Sequence, residues 1–443
     1  MADQRVQALL DFLKASPTAF HAVFEAERTL AAAGFEHLTE GERWALQPGG
    51  RYCVSRNGSA LIAFVMPGKA IRGFQLIASH TDSPTFKIKE NAEVSVRGHY
   101  VQLDTEGYGG GIYASWFDRP LSVAGRVLAR TAEGLRTRLL CLDRDCCVIP
   151  NVAIHMNREV NKGYAYQAQI DLPPLWGTGE AAGSFRRMIA EAAGVEEKDI
   201  AASDLYLYNR TPGTVWGVED AFVSAGRLDD LECVFTSVAA LAEAAEASAQ
   251  TGHVSVCALF DNEEVGSTSR QGARSTLLRD VLLRIREAAG LDEQDWQAAL
   301  STSLMLSADN AHAVHPNHPE YADPVNCVWM NEGVVIKHNA NQKYTTDALS
   351  AAAFREVCRQ AGVQTQDFFN RSDMPGGSTL GNLSSAQLSV PAVDIGLAQL
   401  AMHSAWETAG ARDVDSMIRA MRAFYAADIH IGDGLLTVTG GQA

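Results

Sequence analysis

The sequence predicts an α/β protein whose strand–helix alternation is interrupted by a β-rich segment. Two observations carry this. Before about residue 86 and after about residue 225, short apolar runs alternate with amphipathic stretches of helical period. Between them, β-like runs alternate with Gly-rich turns such as Tyr108-Gly109-Gly110-Gly111. The expected organisation is a discontinuous α/β unit, residues 1–85 plus 225–443, carrying an inserted β-rich unit, residues 86–224.

Along the chain, Val6, Leu9, Leu10, Phe12 and Leu13 recur at helical spacing within residues 5–35. Ser16-Pro17-Thr18 reads there as a stop followed by a new helix start. Strands are expected at 51–55, 60–65 and 74–79, the last running straight into His80. The middle segment offers β-like runs at 93–96, 100–103, 121–128, 137–140 and 204–208. Helices then follow at 231–246, 275–289 and 348–361, with strands at 254–260, 303–307, 364–368 and 392–395. A helix is expected to begin near Trp406, and a long last helix near 413–429. There is no internal repeat or low-complexity tract.

The 443 residues, 47% hydrophobic and 20% charged, suffice for a large core and exclude wholesale disorder. A net charge of -16 argues against nucleic acid or an anionic membrane as partner. The start of the chain lacks a basic segment followed by an apolar one, and no stretch approaches the ~20 apolar residues of a membrane span. Cytoplasmic location is therefore expected. The eight cysteines form no CxxC pair, although Cys146 and Cys147 are neighbours whose role the sequence leaves open.

The chemistry concentrates at strand ends. Asp261-Asn262-Glu263-Glu264 follows the apolar run 254–260. Two adjacent carboxylates at the end of a buried strand are costly unless a cation holds them. A divalent metal resolves the conflict, with one carboxylate ligating and its neighbour acting as general base on water. His80 and Asp82, two apart on extended chain, point to one side, so Asp82 is placed to orient a ligating imidazole. Asp229 before a helix, Asp309 after a strand and His403 in a turn complete the set. Read singly, these are an N-cap, an Asx turn and a structural histidine. Together, His80, Asp229, Glu264, Asp309 and His403 give two imidazoles and three carboxylates. Two zinc ions sharing one bridging carboxylate would each gain three protein contacts.

With these residues the chain resembles the M18 metallo-aminopeptidases, which include aspartyl aminopeptidase. The resemblance runs nearly end to end. It rests on Ser79-His80-Thr81-Asp82-Ser83-Pro84, Tyr108-Gly109-Gly110-Gly111-Ile112, Trp116-Phe117-Asp118-Arg119 and Ile149-Pro150-Asn151-Val152-Ala153-Ile154-His155. It continues through Arg227-Leu228-Asp229-Asp230, Asp261 to Ser267, Lys337-His338-Asn339-Ala340-Asn341-Gln342 and Gly377-Ser378-Thr379.

The resemblance implies a zinc-exopeptidase-like α/β/α catalytic domain with an inserted oligomerisation domain. It puts His80 and Asp309 on one zinc and Glu264 and His403 on the other, with Asp229 bridging and a cis peptide at Asp229–Asp230. Cobalt or manganese is an alternative at one position. Glu263 becomes the general base of a metal-hydroxide attack on the first peptide carbonyl, and Asp82 the partner of His80. His155 is implied to act in the neighbouring subunit's active site, within dimers that build a tetrahedral dodecamer. Lys337 would favour an N-terminal Asp or Glu on small peptides with a free N-terminus, Tyr344 lines that region, and Gly377 lets the peptide backbone approach. A neutral, Leu-type preference and an N-acyl amidohydrolase are the alternatives.

Overall fold

The computed structural model describes residues 2–432 and 435–440. Its central element is a nine-stranded sheet in the order Glu36–His37, Arg51–Arg56, Ala60–Val65, His253–Phe260, Gly73–His80, Leu304–Ala308, Ala392–Gly396, Val334–His338 and Thr365–Phe369. Its middle strands are wholly buried, so both faces must be apolar. The period of two divides them: Leu61, Ala63 and Val65 join Cys257 and Leu259 in one core, while Ala60, Ile62 and Phe64 join Val256, Ala258 and Phe260 in the other. Helices Ala2–Ala15, Ala19–Ala32, Leu228–Ser248, Ala348–Ala361 and Asp413–Ala426 cover the first face. Helices Leu277–Ala289, Glu293–Ser301 and Leu380–Leu388 cover the second.

A separate six-stranded sheet takes all its strands from between Thr85 and Asn209, and it closes a core of its own around Phe86, Trp116, Leu121 and Leu205. A five-stranded sheet joins Thr214–Trp216, Phe222–Ala225, Glu407–Gly410, Ala398–Leu400 and Ala311–His312.

Two expected helices are corrected. Glu407–Gly410 is a strand paired with Phe222–Ala225, not the start of a helix near Trp406. The last helix ends at Ala426, because Ala427–Gly432 pairs with Leu435–Gly440 and buries Ile429 and Ile431 at the two-residue period of a strand.

His253, at the start of its strand, is only 2% exposed, and burial pushes its imidazole down to about 4 despite Asp428 at 3.7 Å. An unfolded imidazole titrates near ~6.5. The folded state therefore refuses a proton that the unfolded chain accepts. The resulting stability is complete above the unfolded value and is lost as pH falls from there towards 4. His253→Gln should lose about 2 kcal/mol less than the parent between pH 7.5 and 5 in denaturant titrations. Equal losses in the two proteins would rule out this histidine as a source.

Candidate active site

Register explains why distant residues meet. The strand His253–Phe260 runs parallel to Gly73–His80 with Phe260 opposite His80, and Leu304–Ala308 lies parallel on the other side with Ser307 opposite Ala78. His80, the turn carrying Glu263 and Glu264, and Asp309 consequently leave the sheet at one edge. That edge, at the carboxyl ends of parallel strands, is where α/β sheets bind ligands.

The remaining ligand candidates arrive through bent backbone. Arg227 sits at φ 65°, the Asp229–Asp230 peptide is cis, and Asp229 itself is non-helical at the start of its helix. His403 lies between two strands of the five-stranded sheet, with φ 68° at His403 and 58° at Ala401. Both loops turn inward. Asp229 is 2% exposed.

The two oxygens of Asp229 face different imidazoles: Oδ1 is 3.6 Å from His80 Nε2, and Oδ2 is 3.2 Å from His403 Nε2. Glu264 Oε2 lies 3.4 Å from the same His403 nitrogen. Three groups of ligand atoms, each within 4.8 Å of one another, overlap here: His80, Asp229, Asp230 and Asp309; His80, Glu263 and Glu264; and Asp229, Glu264 and His403. All five residues expected as ligands are thereby brought together.

The electrostatics call for a cation. Asp229 Oδ1 and Glu264 Oε1 are buried without a hydrogen-bond partner among the described residues. Burial opposes ionisation of Asp229, but His403 and His80 outweigh it and hold this carboxyl well below the usual range. Burial, then the charge of Asp229, pushes Glu264 well above it. Burial with Asp309, Asp82 and Asp229 nearby takes Glu263 up to about 7, in the range of a base working near neutrality. Oxygen and imidazole donors of this kind suit zinc.

Asp82 does more than expected. His80 Nδ1 is closer to the Asp82 carbonyl, at 3.0 Å, than to its carboxylate, at 3.4 Å. The carboxylate accepts the main-chain N–H of Glu263 at 3.1 Å and of Glu264 at 3.2 Å, together with the Tyr108 hydroxyl at 2.7 Å. Two residues to which the sequence assigns no role at the site share in it. Asp230 Oδ2 accepts from the His80 N–H at 3.0 Å. Glu407, 1% exposed, accepts the N–H of Asp229 at 3.0 Å and that of His403 at 2.7 Å. Its contacts run to main-chain N–H groups, so no pattern in the sequence points to it.

Lys337 is buried. Its ammonium donates to the carbonyls of Asp309, at 2.6 Å, and Asn310, at 3.2 Å, and stands 5.2 Å over the Tyr344 ring. Asp394, opposite Lys337 in the sheet, accepts from the Thr345 and Thr379 hydroxyls, tying the Tyr344 segment to the loop of Gly377. Gly377 is exposed, and an added Cβ would meet nothing within 4 Å. His155 lies in an exposed turn beside exposed Val152, Ile154 and Met156. None of the three ligand groups contains it.

The sequence profile described as aminopeptidase I zinc metalloprotease (M18) matches residues 12–425. The chain belongs to the M18 family. A probable M18 family aminopeptidase 2 from Clostridium acetobutylicum is 44% identical over 425 residues, covering 94% of this chain and 97% of the relative. Among solved structures, the cryo-EM structure of the Ape4 and Nbr1 complex superposes with a TM-score of 0.93 at 34% identity, over 96% of this chain and 86% of that one. The S. cerevisiae mApe1 dodecamer gives 0.83 at 28% identity, over 95% and 97%. This M18 protein is accordingly a zinc metallopeptidase that acts as an aminopeptidase, with the fold of its family. No helix among its described residues is long and apolar enough to cross a membrane.

Proposed function

We propose that this enzyme removes a single N-terminal residue, preferably Asp or Glu, from small peptides with a free N-terminus, using two zinc ions per subunit. The observation that carries the reading is Asp229, whose two oxygens face His80 on one side and His403 on the other. His80 and Asp309 would hold one ion and Glu264 and His403 the other, with Asp229 shared between them. Cobalt or manganese would suit one position as well. When bound, the ions polarise the scissile carbonyl and acidify water. Three carboxylates leave the pair of ions a net positive charge.

Glu263 takes a proton from water and returns it to the leaving amine. Asp82, by accepting the N–H groups of Glu263 and Glu264, fixes the base against the ligand beside it. His155 acts in the neighbouring subunit, donating to the carbonyl oxygen as charge builds there. Its exposed, apolar-flanked turn supports a role completed by a partner surface. Residues 86–224 serve as the dimerising insert and residues 1–85 plus 225–443 as the catalytic unit. The likeness to the mApe1 dodecamer supports a homo-oligomer; in our reading its dimers assemble into a tetrahedral dodecamer. We place it in the cytoplasm, without nucleic-acid or membrane partners.

The acidic preference rests on the Lys337 cation beside Tyr344 at the Asp309 side of the site. Comparing kcat/KM for Asp-, Glu-, Leu- and Ala-leading peptides tests it. The acidic peptides should lead by at least ~10-fold, and Lys337→Ala should erase most of that lead. A Leu lead on the parent enzyme would replace the acidic reading with the neutral one, to which the engagement of Lys337 by two carbonyls already lends weight. N-acetylated peptides should not be cleaved, which separates the aminopeptidase from an amidohydrolase.

A further inference from the structure

The two histidines of the site are held in different ways. His80 ends a central strand, and its Nδ1 is satisfied locally by the carbonyl of Asp82. His403 has its N–H accepted by Glu407 and is otherwise held from outside, by the six-stranded sheet and its loops. Its Nδ1 donates to the Gly110 carbonyl at 2.9 Å, and its own carbonyl accepts from the Ile112 N–H at 2.9 Å. Two residues on, the Ala405 N–H donates to Ser115 Oγ at 2.8 Å, and the Ala405 carbonyl accepts from Asn209 Nδ2 at 2.8 Å.

Four hydrogen bonds, three from the segment 110–115 that follows the strand Tyr100–Tyr108 and one from Asn209 at the end of another strand, thus fix a three-residue stretch whose His403 sits at φ 68°, a conformation that a non-glycine residue keeps only when its surroundings impose it. The fit is close on the metal side too. At Gly109, φ +73°, a Cβ would stand 3.0 Å from Glu264 Cβ. The Nδ1–H bond to Gly110 leaves Nε2 as the acceptor nitrogen, turned toward Asp229 and Glu264.

We infer that Ser115 and Asn209, which hydrogen-bond to the main chain of Ala405 rather than to a ligand side chain, are positioning residues for His403. The six-stranded sheet and its loops thereby position the imidazole of one metal position, whereas His80 of the other ends a strand of the nine-stranded sheet. This rests on the two-ion reading given above. Displacing the sheet loosens the His403 position selectively, so the arrangement of the sheet and the metal content of the site are coupled.

Zinc titration against a competing chelator, on the intact assembled enzyme, is the test. Ser115→Ala and Asn209→Ala should each weaken one zinc dissociation constant about 10–100-fold and leave the other unchanged. Ser115→Thr, which keeps the hydroxyl, should restore the parent values. In a His403→Ala background, where that ion has already lost its imidazole, Ser115→Ala should add nothing further. Equal weakening of both sites, unchanged affinities, or an additive effect in that background would overturn the inference. Should Ser115→Ala fail to fold, Asn209→Ala alone decides. A parent enzyme that binds a single ion overturns the two-ion reading itself, whereas two ions in the parent with unaltered variants overturn only the role of the sheet.

Discussion

Glu263→Gln should keep the full zinc content of the parent and lose on the order of 10²–10⁴-fold in kcat, with KM little changed. The side chain keeps its shape and loses only its capacity to take a proton. Its main chain stays anchored, because the bond from the Glu263 N–H to Asp82 does not involve the substituted group. Burial and the acids around it bring Glu263 up to about 7, so the carboxyl group is suited to exchange protons near neutrality rather than to serve as a fixed anion. Glu264→Gln is the contrasting change. There the altered group is a ligand candidate 3.4 Å from His403 Nε2, and metal content should fall along with rate. Metal analysis beside steady-state kinetics separates the two. A Glu263→Gln enzyme within tenfold of the parent would remove Glu263 from the chemistry.

The sequence made this pair legible because short-range pattern and long-range fold agree there. A buried run ending in Asp261-Asn262-Glu263-Glu264 places carboxylates at a strand end whatever the strand's neighbours are. The same holds for His80 and Asp309. The register that aligns Phe260 with His80 and Ser307 with Ala78 has no local signal, since it is set by packing across the whole sheet. Glu407 has no local signal either, for a related reason. Its carboxylate accepts main-chain N–H groups of Asp229 and His403, contacts that leave no residue-type signature at either partner. The strand that carries it is four residues long and owes its form to pairing with Phe222–Ala225, far away in sequence, so local spacing suggests a helix instead. Likewise Ser115 and Asn209 act through the backbone of Ala405, and nothing in their own neighbourhoods marks them.

Asp229→Asn should release both ions together, which no other single substitution among the five ligand candidates should do. Asn keeps the volume and the cis-linked backbone position but replaces one anionic oxygen with an N–H₂ group, which repels a cation and lowers the charge for both positions at once. Loss of a contact that merely supports a ligand costs ~10–100-fold in metal affinity, and loss of a shared ligand should cost each ion at least that much. Asp309→Asn and Glu264→Gln should each release one ion: Asp309 is grouped with His80 and not with His403, while Glu264, although also grouped with His80, has Oε2 3.4 Å from His403 Nε2. Chelator titration of the three variants therefore yields a pattern of two, one and one ions lost. If Asp229→Asn released a single ion, Asp229 would be a terminal ligand, and the separation of its oxygens, 3.6 Å from His80 and 3.2 Å from His403, would reflect two hydrogen-bonded histidines around one metal. If it released none, the cation that the orphaned oxygens of Asp229 and Glu264 call for would have to be held by other residues, and the assignment of the site would fall with it.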